Sequence, residues 1–87
     1  MGRHEWRERT EEGETRLVRA VHHAGRWTLE ARLKSEPAFV ALDPIPLDDL
    51  HELRDVIARK YQRGRVPREQ LLALDALIEE REAQGDG

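Results

Sequence analysis

From Arg26 to Lys34 the chain alternates without a break: Trp27, Leu29, Ala31 and Leu33 in one phase, Arg26, Thr28, Glu30, Arg32 and Lys34 in the other. A period of two is that of a strand with one face buried and one in water. Thr15 to His23 precedes it, rich in β-formers, and Ala24-Gly25 joins the two as a tight hairpin in which the glycine supplies a positive φ. Of its two facings, the one with Val18 and Ala20 inward is preferred, because the other buries Arg19; it leaves Leu17, Arg19 and Val21 outward. Upstream, His4 to Thr10 alternates around Trp6, as a first strand or a flexible terminus, with Glu11-Glu12-Gly13-Glu14 as a turn. Downstream, Ser35-Glu36-Pro37 reads as a turn and Ala38 to Leu42 as a short last strand, stopped by Asp43-Pro44-Ile45-Pro46.

After Pro46 the period changes. Leu47, Leu50, Leu53, Ile57 and Tyr61 fall at helical spacing, with Val56 widening the stripe and Asp48 and Asp49 in the first turn, where the helix dipole favours them. Asp49 with Glu52 three residues on fits a capping box, and Gly64 suits a left-handed stop after Arg63. Pro67 fits the first turn of a second helix with Leu71, Leu74, Leu77 and Ile78 in one stripe and Leu72 and Ala76 beside it. The fold class expected is therefore α+β: an antiparallel meander of three or four strands packed on a helix, followed by a second C-terminal helix.

Composition adds bounds. Eighty-seven residues hold one core, so residues 1–87 read as a single domain with a frayed tail at 84–87. Charged residues at 38% and a mean hydropathy of -0.81 suggest a soluble chain. No apolar run approaches the roughly 20 residues of a membrane span, and no apolar stretch follows the first basic residue, so a cytoplasmic location is expected. Cysteine is absent, which removes disulfides and thiolate chemistry. So small a core also invites self-association: a homo-oligomer is expected, and the leucines of the second helix are expected to pack on the first helix or against a partner chain.

The net charge of -3 conceals an asymmetry: residues 1–34 carry 8 basic and 6 acidic residues, residues 35–87 carry 7 and 12. On the polar phase of the meander, Arg19, Arg26, Thr28, Arg32 and Lys34 are placed to follow a phosphate backbone, with Trp6 the candidate for stacking on a base. A second basic run, Arg59, Lys60, Arg63, Arg65 and Arg68, puts five cations into ten residues with no acid. The helix dipole accounts for the first three but not for Arg65 and Arg68. Tyr61 lies among them in the phase of the buried stripe.

Enzymatic chemistry finds no motif. Ser35 is the single serine and has no nucleophile elbow; the acidic pairs Asp48-Asp49 and Glu79-Glu80 sit at helix ends or solvated faces; no glycine-rich phosphate loop occurs. His22 and His23 are adjacent on a strand and point to opposite faces, so they do not share a metal, and together with His4 they read as exposed histidines near a hairpin end. Neither a metal, a cofactor, a catalytic residue nor a small-molecule substrate is indicated.

Paired strands, then Arg-Trp-Thr-Leu-Glu-Ala-Arg-Leu-Lys, then Phe-Val-Ala-Leu, then Leu-Asp-Asp-Leu-His-Glu-Leu-Arg-Asp-Val-Ile form an order that resembles the sheet-then-helix unit of Pur repeats and Whirly-like single-stranded nucleic-acid binders. It covers roughly residues 4–63. The resemblance implies a non-enzymatic nucleic-acid-binding module whose exposed sheet, here Arg19, Arg26, Thr28, Arg32 and Lys34, contacts a single strand while helices support dimerisation. The chain departs from it in its acidic balance, its few exposed aromatics and its second helix. It also looks like small uncharacterised bacterial proteins with a Lys-Tyr-Gln-Arg segment, here Lys60 to Arg63, which implies no activity. The competing expectation is a protein-interaction or scaffolding domain acting through the second helix.

Overall fold

A computed structural model describes residues 2–84; Met1 and the expected frayed residues 85–87 lie outside the described residues. Four strands, β1 (Gly2–Arg9), β2 (Thr15–His23), β3 (Arg26–Leu33) and β4 (Val40–Ala41), form one antiparallel sheet in the order β1-β2-β3-β4, followed by helices α1 (Leu47–Gln62) and α2 (Arg68–Ala83). The α+β meander expected from periodicity is the architecture observed. No helix among the described residues is long and apolar enough to cross a membrane.

Register places the faces. Trp6 pairs with Val18 and Val18 with Ala31; His4 pairs with Ala20 and Ala20 with Leu29; His22 pairs with Trp27. Val18, Ala20, Trp27, Leu29 and Ala31 are buried, so this phase faces the helices, in the facing preferred from the sequence. The hairpin between β2 and β3 has two central residues, Ala24 with φ 53° and Gly25 with φ 77°, both left-handed as a type I′ turn requires. The last strand is shorter than expected: of residues 38–42 only Val40 and Ala41 pair with β3, because prolines at 37, 44 and 46 withhold donors on both sides.

Leu50, Leu53 and Ile57 of α1 are fully buried and close the core with the sheet's inner phase. The helix begins after Pro46 with no side-chain cap, so the capping box does not form. Asp49 instead receives both guanidinium nitrogens of Arg16, at 2.9 and 3.2 Å, an ion pair that ties the first turn of α1 to β2. Glu8 also accepts from Arg16 at 3.1 Å, so two carboxylates hold this guanidinium and raise its pKa. The stop at Gly64 is as expected: with φ 71° it lets Arg65 N–H reach Lys60 O (2.9 Å) and Gly64 N–H reach Tyr61 O (2.9 Å), a Schellman ending.

α2 folds back on α1, held by Arg54 Nε to Asp75 Oδ1 at 2.5 Å and by His51 facing Glu82 at 3.2 Å. Leu74 is fully buried and Ile78 nearly so, both in the same core as the sheet and α1. The stripe of the second helix is thus largely consumed within the chain, leaving Leu72 as its exposed leucine.

Candidate nucleic-acid interface

With both helices on one side, the alternate phase of the sheet faces away from them. Reading across the strands, it presents His23 beside Arg26, then Arg3, Val21 and Thr28, then Glu5, Arg19, Glu30 and Ala41, then Arg7, Leu17 and Arg32, then Arg9 and Thr15. Six arginines therefore stand against two glutamates on this face, although the whole chain is acidic. The glutamates flank Arg19 in the central row, and each neighbouring row has arginine at its margin and an aliphatic residue within. Two shallow depressions, of about 680 and 520 Å³, occupy the face and meet at Arg19.

The expected contact residues divide by what else they touch. Arg26 and Thr28 are exposed on this face, and among the described residues Arg26 has no ion-pair partner. Arg19 Nε lies 2.6 Å from Glu30 Oε1, off hydrogen-bonding alignment, while its guanidinium carbon sits 3.9 Å from the centroid of Phe39. Arg32 is on the face too, but its Nη1 donates to the carbonyls of Leu33, Lys34 and Glu36 at 3.3, 3.2 and 2.8 Å. Its first role is therefore to order the turn after β3. Lys34 lies in that turn, exposed, at the end of the sheet opposite Arg26.

In the second cluster Arg59, Arg63, Arg65 and Arg68 are exposed around the turn between the helices. Lys60 is not available in the way expected: its Nζ donates to His4 Nδ1 at 2.9 Å, drawn inward because β1 passes beneath the end of α1. Gln70 of α2 receives the other side of the same ring, His4 Nε2 to Oε1 at 3.0 Å. These contacts set the basic turn beside the end of the sheet that carries Arg3, His23 and Arg26.

Three sequence expectations need correction. Trp6 does not reach the open face: opposite Val18, it points to the helices and packs on the core. Tyr61 is 39% exposed rather than part of the buried stripe, which ends at Ile57. His4 is 5% exposed, not a surface histidine, and burial, followed by Lys60 and His22, lowers its pKa against the opposing pull of Gln70. His22 does turn to the opposite face from His23, where it packs on Trp27 with ring centroids 4.9 Å apart. No group of three metal-ligating side chains occurs among the described residues.

Sequence reasoning missed four members of the surface. Arg3, Arg7 and Arg9 were legible in the alternation of β1 once that segment is accepted as a strand. Phe39 was legible only through register: Ala41 pairs with Glu30, so the residue two before Ala41 shares the outer phase. No protein-family model matches the chain, and neither the curated proteins nor the solved structures provide a significant match.

Proposed function

We propose that this chain is a small non-enzymatic module that binds single-stranded nucleic acid on the outer face of its sheet. One observation carries the reading: the sheet face left uncovered by the helices has six arginines to two glutamates in a protein of net charge -3. Arginine suits phosphate because its planar fork can bond two oxygens at once. The margins of the face, at Arg7 and Arg26, supply cations for the backbone, with Arg3 on the same face paired to Glu5 at 3.0 Å. Leu17, Val21 and Phe39 between them supply apolar surface for unstacked bases. Arg59, Arg63, Arg65 and Arg68 extend the positive field around the adjoining end of the sheet. The Glu5-Arg19-Glu30 row favours a path along the arginine margins over one across the centre.

The test is fluorescence anisotropy with a labelled mixed-sequence single-stranded oligonucleotide at about 50 and about 200 mM salt. Binding should weaken steeply between the two, and Arg26→Ala and Arg65→Ala should each lower affinity and reduce the salt slope by about one. An unlabelled duplex of the same sequence should compete poorly. No binding at about 50 mM salt, where phosphate contacts are strong, refutes the proposal; equal competition by duplex removes its single-strand component.

A further inference from the structure

The two edges of the sheet are built differently. β4 has two residues between prolines, a poor template for another strand. β1 has eight residues, no proline and no bulge, its register unbroken from Gly2 opposite His22 to Arg9 opposite Thr15. Thr10 N–H bonds Glu14 O at 2.8 Å, which sets the phase of the ladder. In an antiparallel pair, mutually bonded positions alternate with unbonded ones, so Glu8, Trp6, His4 and Gly2 bond β2. The backbone N–H and C=O groups of Arg3, Glu5, Arg7 and Arg9 therefore point away from β2, along an open edge. The bond from Lys34 N–H to Thr15 O at 2.8 Å gives the same phase on the other side of β2.

Charge of a single sign along such an edge repels a second strand; here Glu5 breaks the run of arginines. Because only odd-numbered residues offer outward groups, a two-fold antiparallel partner can slide only in steps that keep odd opposite odd. With Trp6 opposite Trp6, Glu5 faces Arg7 twice over. The register centred on Glu5 has only like-charged pairs, and the one centred on Arg7 sets Glu5 against Arg9 but places two guanidinium groups together at the axis; the register centred on Trp6 keeps opposite charges beside the axis and sets the two indoles together. That indole, half-buried by its own chain, then meets its copy. The outermost pair, Arg3 with Arg9, is like-charged, but Arg3 is held to its own Glu5 at 3.0 Å and Arg9 to Gly13 O at 3.2 Å.

We infer that two copies of this chain pair β1 to β1 antiparallel about Trp6, forming one continuous eight-stranded sheet. The interface is the strand edge, not the second helix, and it joins the two arginine-bearing faces into one surface.

Sedimentation equilibrium on the full chain tests this. Wild type should approach twice the 10.1 kDa chain mass as concentration rises. Glu5→Arg alone and Arg7→Glu alone should each sediment as monomers, since each sets like charges opposite one another. An equimolar mixture of the two variants restores opposite charges at both central pairs and should recover a dimer. Both side chains are exposed, and circular dichroism of each variant should match wild type. Glu5→Pro gives a second route: it removes an outward donor without touching the β1-β2 ladder and should also give a monomer. A wild type that stays monomeric up to roughly 1 mM, where even a weak Kd is populated, overturns the inference. So does a dimer that neither reversal dissociates, or a mixture that stays monomeric.

Discussion

Lys60 Nζ lies 2.9 Å from Nδ1 of His4, so a cation near the end of α1 donates to a buried imidazole on the first strand. The ring must be neutral at Nδ1 to accept that bond, and its Nε2–H then donates to Gln70 Oε1 at 3.0 Å. One side chain thereby fastens β1 to both helices.

This contact makes stability depend on pH in a definite direction. Burial, with Lys60 and His22 adding repulsion, holds the His4 pKa below its ordinary 6.5, whereas Gln70 opposes the shift and Trp27 packs on the ring with centroids 5.7 Å apart. The unfolded chain then binds more protons than the folded one below that value. The His4 contribution is complete above about pH 6.5 and is lost as pH falls through the lower folded value. Urea titrations at pH 7.5 and at lower pH should show stability declining by no more than about 1.4 kcal/mol per pH unit from this group. His4→Gln should flatten that part of the profile; an unchanged slope would show that His4 is not its source.

A side chain at Gly2 should force Gln70 to move. A Cβ at this position would lie 2.5 Å from Nε2 and 2.8 Å from Cδ of Gln70, and that buried amide is held by His4. Gly2→Ala is expected to cost about 1 to 3 kcal/mol through overpacking, measured by chemical denaturation. The same change in a Gln70→Ala background should cost clearly less, because the obstructing group is gone.

Ala24 has φ 53° in a hairpin position that favours asparagine before glycine. Ala24→Asn should raise stability by about 0.5 to 1 kcal/mol by relieving the left-handed alanine. For a chain of this size that is a melting-point increase of roughly 2 to 8 °C, readable by calorimetry.

Leu74 and Leu72 are two positions apart on α2 and should respond very differently in size. Leu74 is fully buried, whereas Leu72 is 50% exposed. Leu74→Ala should cost about 2 to 5 kcal/mol by leaving a cavity, while Leu72→Ala should stay within about 0.5 kcal/mol. Equal effects would mean that α2 does not contribute Leu74 to the core as described.

The sequence alone determined the elements. Strict alternation from Arg26, the Ala24-Gly25 hairpin, the switch to helical spacing after Pro46 and the stop at Gly64 were readable because each depends on neighbours within a few residues. The inner facing of β2 was readable too, since burying Arg19 would have left a charge without water. Only the tertiary structure decided the partners. Asp49 looked like a cap but answers Arg16, 33 positions earlier; Lys60 looked like a phosphate contact but answers His4; Trp6 looked like a stacking platform but register turns it inward. Phe39 came to rest beside Arg19 for the same reason. Local pattern sets where a side chain points relative to its own strand or helix. Which group it meets depends on how separate elements dock, and the energies of those meetings belong to pairs that no local window contains.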